Sequence, residues 1–409
     1  VSYFLCACLL CLLGAGALRS LRLAQAQALY AFGSADSLRA AEQIFPGCAR
    51  YPKGRGLLLS QEMEKPDEAA HLFRRALSLN PRDASLRIEL GLQDEVAGDL
   101  ASAEQNLLEA ARLDHTFPPR WSLANFYFRR KDEDRFLIWA RRSAEMVPGD
   151  PVPLFKLSLR LTGNPSTVLN RVVLARPEII GPYLQLTLDE NRLSDAVPVA
   201  LALLRTSGAK DADRLAAFCD RLLSEYPKDR RWLEPAIEIW NSMIDHKVFP
   251  LRRIDRALGD SLINGDFSYP PGSHGFDWRI NQLPPIQSWF GASGSSISFS
   301  GRQPEFCDIL HQLIPVNAGT RYQFRVSYRT TNIGARSGLS WRVLDEADGS
   351  ELAQTQYLQS AEWRDEIVQF KTARDTGLLR LALTYRRLPG TTRAEGTLLF
   401  KNVDFRATR

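Results

Sequence analysis

A chain of 409 residues has room for two or three domains, each with its own core. Its composition, 44% hydrophobic and 24% charged, excludes wholesale disorder and a polytopic membrane protein. The formal charge of +5 comes from basic residues spread along the chain and not gathered into a stripe, which argues against a nucleic-acid partner.

Residues 3–18 form an apolar, Ala- and Leu-rich run without a charge. Its length falls between a signal-peptide core and a full membrane span, so residues 1–20 are read as a signal peptide or membrane anchor. The triplets Ala15-Gly16-Ala17 and Ala24-Gln25-Ala26 offer cleavage sites. Arg19 and Arg22, just after the run, favour a cytoplasmic C-terminal side by the positive-inside tendency. Cys6, Cys8 and Cys11 lie inside the run, and Cys48, Cys219 and Cys307 lie far apart. With no CxxC pair outside the run and no HExxH, structural zinc is not expected; the three distant thiols read as buried apolar side chains.

Residues 66–81 read Pro-Asp-Glu-Ala-Ala-His-Leu-Phe-Arg-Arg-Ala-Leu-Ser-Leu-Asn-Pro. Ala69, Phe73 and Ala76 return 34 positions later as Ala103, Leu107 and Ala110, after Leu90-Gly91 and Gly98-Asp99-Leu100. A third unit supplies Trp121, Ala124, Asn125, Phe128, Ala144 and Pro148. Small residues let paired helices approach, large ones fill the gaps, and proline ends the second helix. Trp121 to Phe128 matches a W-x2-L-G-x2-Y opening, and with this register the sequence resembles the tetratricopeptide repeat family. Weaker units are read at 38–52, 153–177, 183–204 and 211–227, with a capping helix at 232–244. Helical repeats thus occupy 21–250, about five or six units of an α-solenoid. The resemblance implies a groove that holds a peptide or protein partner. Arg74, Arg75, Arg129, Arg130 and Lys131 are its candidate contacts, set against the plainer reading of a solvated helix face.

Past residue 255 the helical period gives way to alternation of two. Strands are expected at 276–280, 296–299, 322–328, 339–343, 367–370, 379–385 and 398–405, with turns at Asn264-Gly265, Ala318-Gly319, Asp348-Gly349 and Pro389-Gly390. Such spacing without intervening helices predicts a β-sandwich over 255–409, so the fold class is an α-solenoid followed by a β-sandwich. Leu262-Ile-Asn-Gly-Asp-Phe267, Phe276-x-Trp278, Gln312-x-Ile314-Pro315-Val316, Gly319-x-x-Tyr322 and Asn402-Val-Asp-Phe405 resemble jelly-roll carbohydrate-binding modules of the galactose-binding-like superfamily. The resemblance implies a glycan or polysaccharide partner, or a structural role. It also implies a structural calcium, for which Asp266 and Asp404 are the carboxylates at hand. Ser268 stands where the family has an acid, and a hard cation takes six or more oxygens.

Glycan binding asks for exposed aromatic faces flanked by polar groups. Phe276, Trp278, Phe324, Trp341 and Leu381 fall on the apolar phase of their strands and read as core. Trp289, in a loop-like Gln287-Ser-Trp-Phe290, and Tyr269 are the stacking candidates. Gln323, Arg325, Arg342, Arg380 and Arg386 lie on the opposite phase and are expected to share one sheet face. Such a face would grip an acidic glycan through bidentate guanidinium contacts, or be solvated and balanced by Asp277 and Glu366. No phosphate loop, nucleophile elbow or zinc motif occurs, and Asp266, Asp277 and Asp308 are acids without a recognisable catalytic frame. The expectation is a non-catalytic adaptor, tethered to a membrane or exported, with its domains on the extracytoplasmic side despite Arg19 and Arg22, and with no cofactor beyond that calcium. Its alternatives are a plain scaffold or a subunit of a carbohydrate-active enzyme.

Overall fold

The structure, a computed structural model, describes residues 2–61 and 65–408, without the side chains of 2–7 and 61. It divides into two compact units, one running to Leu174 and one starting at Ala175.

The first unit consists of paired helices: α1 Ser2–Phe32, α2 Ala35–Ile44, α3 Arg50–Gln61, α4 Pro66–Leu79, α5 Ala84–Val96, α6 Leu100–Leu113, α7 Phe117–Arg129, α8 Glu133–Ala144, α9 Val152–Thr162 and α10 Pro165–Arg171. Local chemistry sets their starts. Asp83, Asp99 and Asp132 cap α5, α6 and α8 by accepting the N–H groups of Leu86, Ser102 and Arg135. Proline opens α4 and α7, where its missing N–H costs nothing. The repeating residues Ala69, Phe73 and Ala76, and their counterparts Ala103, Leu107 and Ala110, are all fully buried. A Cβ on Gly91 would stand 3.0 Å from Leu107 Cγ and 3.2 Å from the Ala103 carbonyl oxygen, so glycine lets α5 lie directly on α6. This is the small-against-large packing of a tetratricopeptide-like repeat.

The apolar N-terminal run does not end as a separate segment. It continues as one helix to Phe32, and its second half belongs to the first core: Ala26 is buried with Ala41 and Tyr51, beside Leu29 and Tyr30. Residues 8–18 are exposed throughout. The stretch Cys8–Phe32 is long and apolar enough to cross a membrane.

The second unit begins with α11 Pro177–Asp189, α12 Leu193–Ser207, α13 Ala212–Glu225 and α14 Leu233–Asp245. Ten strands follow: β1 Arg279–Ile280, β2 Ile286–Trp289, β3 Ser295–Ser300, β4 Phe306–Pro315, β5 Arg321–Thr331, β6 Leu339–Asp345, β7 Glu351–Gln354, β8 Arg364–Lys371, β9 Leu378–Arg386 and β10 Glu395–Thr408. They form two antiparallel five-stranded sheets, β1-β4-β9-β6-β7 and β2-β3-β10-β5-β8. The sandwich core lies between them, and Trp278, Trp341, Phe324, Phe400 and Leu381 fill it. The expected strand at 276–280 shrinks to Arg279–Ile280, because the preceding residues turn: Gly272 N–H donates to Asp277.

Phe276 is buried as expected, but its edge meets Trp240 of α14, ring centroids 5.9 Å apart. Gly275, at φ +55°, sits where a Cβ would come within 2.5 Å of the Trp240 ring. The Asp220 carboxylate on α13 accepts from Gly275 N–H and Arg279 Nη2, at 2.7 and 2.6 Å. Arg230 reaches Asp375 at 2.6 Å. The last two helices and the sandwich therefore share one packed region.

Candidate functional site

Strand pairing assigns every outward side chain to one of the two sheets. On the β1-β4-β9-β6-β7 sheet, Leu379, Leu381, Leu383 and Tyr385 point to the core. The other phase of β9 and its cross-strand neighbours therefore point outward: Arg380, Ala382, Thr384 and Arg386, with Ser340, Arg342, Asp308, His311 and Leu313. Much of this face is closed. Leu313, Ser340, Ala382 and Thr384 are buried, and His311 is desolvated enough that burial, with Arg380 and Arg279 nearby, lowers its pKa to about 4. Three of its arginines are compensated: Arg342 pairs with Glu351 at 2.6 Å, Arg380 with Glu346 at 2.7 Å, and Arg279 with Asp220.

The outer face of the β2-β3-β10-β5-β8 sheet is different in kind. It carries Trp289, Ser296, Ser298, Thr397, Leu399, Lys401, Gln323, Arg325, Ser327 and Arg329, together with Asp365, Ile367 and Gln369. None of these is buried. Register places Trp289, Ser296, Leu399 and Arg329 in one row across four strands. Trp363, one residue before β8, extends the row. Its ring lies 4.4 Å from Lys401 Nζ and 5.4 Å from Arg329 Cζ, measured to the ring centroid. Lys401 is rooted two strands away, on β10, so its side chain and the Trp363 ring meet over β5. Both cations lie within cation–π distance of the ring, which stays 40% exposed. Trp289 is 57% exposed at the other edge, with its ring over Gly291, where a Cβ would come within 2.7 Å of it. At about 4.8 Å between strands, the backbone positions of the two tryptophans stand roughly 19 Å apart.

The expectation that Gln323, Arg325, Arg342, Arg380 and Arg386 share one face is overturned. Gln323 and Arg325 are on β5, and the other three are on β6 and β9 of the opposite sheet. Alternation fixes which side of its own sheet a residue occupies, and sheet membership depends on pairings the sequence does not display. Arg325 is tied to Asp365, and Gln323 accepts from Gln369 Nε2 at 3.1 Å. Arg386 is exposed at the end of β9. Trp289 ends an edge strand where a loop was expected. Trp363, Arg329 and Lys401 were absent from the sequence reading; a tryptophan on the polar phase of Trp363-Arg-Asp-Glu-Ile367 was the available signal.

Tyr269, Asp266 and Asp404 meet elsewhere, around a cavity of about 600 Å³ that Arg252, Asp260 and Asn264 also line. Ser268 holds Asp266 through its hydroxyl and N–H, which lowers the carboxyl's pKa. Asp404 lies 3.0 Å from Arg406. Among the described residues no group of three or more His, Cys, Asp or Glu side chains is arranged to hold a metal ion. Asp277 is buried, and burial raises its pKa; Asp308 lies on the closed sheet face. With Asp266 in the cavity, the three acids are in three different settings.

In the repeat unit, Arg74 pairs with Asp94, Arg75 with Glu42, and Arg129 with Glu95 at 2.6 Å, 34 residues back. These three join helices of the stack. Arg130 and Lys131 are exposed in the turn after α7.

No family model and no curated protein matches this chain. Among solved structures it is similar to a carbohydrate-binding module, CBM4, at 14% identity over 36% of this chain and 100% of that one, TM-score 0.29. It is similar to YrrB, a tetratricopeptide protein described as having an unusual peptide-binding site, at 15% identity over 52% and 94%, TM-score 0.25. PilF of Pseudomonas aeruginosa matches at 20% identity over 55% and 91%, TM-score 0.27.

Proposed function

We propose that the protein is a non-catalytic, membrane-tethered adaptor, whose repeats hold a protein partner and whose sandwich binds a glycan, in polysaccharide assembly or export. The observation that carries the glycan half is the open sheet face: two exposed tryptophans bracket a floor of Ser296, Ser298 and Thr397. Flat rings suit the apolar faces of sugar rings, and the hydroxyl floor suits their hydroxyls. The exposed first half of α1 supports the tether. Paired helices with small residues at their contacts support the adaptor half, because stacked repeats present long binding surfaces. Tyr269 at the mouth of the cavity is a second, smaller stacking position.

The test is a glycan array probed with the full chain in detergent. Binding to a class of glycans, weakened by Trp289→Ala, is the expected result. A folded protein that binds no glycan refutes the glycan half and leaves a scaffold.

A further inference from the structure

The cations on the open sheet face are distributed in a way that hydroxyl recognition does not require. Arg325 has Asp365 and Arg406 has Asp404. Arg321, Arg329, Lys371 and Lys401, outward or at the ends of the same strands, have no carboxylate partner within ion-pair distance among the described residues. On the other sheet, Arg279, Arg342 and Arg380 have acidic partners, and Arg386, at the end of β9, has none among the described residues. An open face with uncompensated charge next to an exposed aromatic ring is an anion-selective surface: the free cations attract, and the ring orients.

Resting on the glycan reading above, we propose that this face selects an acidic polysaccharide, with Trp363 as the stacking platform and Arg329 and Lys401 as the carboxylate-binding pair. The geometry assigns the roles. The Trp363 ring is 40% exposed with both cations close to it, so a sugar ring stacks on the part left open. Arg329 and Lys401, 5.4 and 4.4 Å from the ring centroid, then flank the stacked sugar, where a carboxylate on a neighbouring residue of the polymer can meet them. The row toward Trp289 is roughly 19 Å long, about four sugar residues of an extended chain. Ser296, Ser298 and Thr397 line that path with hydroxyls.

The experiment uses the full chain in detergent and three probes: polygalacturonate fragments, the same fragments with carboxyls reduced to neutral hydroxymethyl groups, and single-stranded DNA of similar length. Binding is measured by calorimetry at two salt concentrations, with unfolding temperature checked for every variant. The polyuronate is expected to bind at low salt and weaken as salt rises, with the reduced polymer at least about tenfold weaker. Each lost cation should cost roughly fivefold, so Arg329→Gln with Lys401→Gln should abolish the preference for the acidic form. Trp363→Ala should weaken both polymers. Arg386→Gln, which removes an exposed charge from the other sheet, should change nothing. Equal binding of both polymers overturns the acidic assignment, an unchanged preference in the double variant overturns Arg329 and Lys401 as the carboxylate-binding pair, and either leaves the glycan reading standing. Tighter binding of DNA than of the polyuronate overturns it in favour of a nucleic-acid surface. If these polymers and the wider array all fail to bind, both readings fall.

Discussion

Replacing Trp240 by alanine tests whether the last helix pair and the sandwich are one cooperative body. Trp240 is buried in the middle of α14, stacked on Phe249 at 5.8 Å and met edge-on by Phe276 at 5.9 Å. The close approach at Gly275 leaves little room for the site to collapse around a missing ring. Truncating a buried tryptophan costs about 3–5 kcal/mol. For a unit of this size, at about 2 °C per kcal/mol, that is a fall in Tm of roughly 6–10 °C. The assay is thermal unfolding of a fragment starting at Ala175, followed by far-ultraviolet and near-ultraviolet circular dichroism. The helical and aromatic signals should melt together, and both should move. A variant in which the helical signal melts early while the sandwich keeps its parental Tm would refute the shared unit. The same contacts predict that a fragment cut at 255 will expose Phe276 and be less stable than one cut at 175.

Three further outcomes follow from the same structure. His311 titrates near pH 4 when folded, against 6.5 as a free imidazole, because burial and two arginines disfavour its charge. The stability this confers is complete above about pH 6.5 and is lost as pH falls toward 4, up to about 3 kcal/mol; His311→Asn should flatten that part of a stability-against-pH curve, and an unchanged curve would contradict the assignment. Cys219 and Cys307 are buried with raised thiol pKa values, so a disulfide reagent at pH 8 should leave them unmodified in the native protein and modify them after unfolding; fast native-state modification of Cys219 would show that the α13–α14 packing opens readily. Cleavage after Ala26 would remove a residue buried against Ala41 and Tyr51, so mass spectrometry of the mature protein should find Ala26 retained, and a chain beginning at residue 27 would contradict this.

Features held by local rules were legible in the sequence. The 34-residue recurrence of Ala69, Phe73 and Ala76 marks helix contacts, and the helices fall where it placed them. Strict alternation exposed β5, β6 and β9. Strand β4 escaped notice because a bulge at Asp308–Leu310 puts two buried residues side by side and breaks its period. Edge strands β2 and β7 are four residues long and mostly exposed, with too little contrast to register. Trp289 was found because an exposed aromatic beside Ser and Gln is visible in one dimension. The platform of Trp363, Lys401 and Arg329 was not visible, since its members come from three strands and meet only through the order β10-β5-β8. The arginine face failed for the same reason: right phase, wrong sheet.

Hydroxyl-radical footprinting of the full chain, with and without a bound acidic polysaccharide, tests the account most directly. It reads both faces of the sandwich in one measurement. The account predicts that Trp289 and Trp363 are protected from oxidation on binding, while exposed Phe306 on the opposite sheet reacts as before. Protection of Phe306 with both tryptophans unchanged would contradict it.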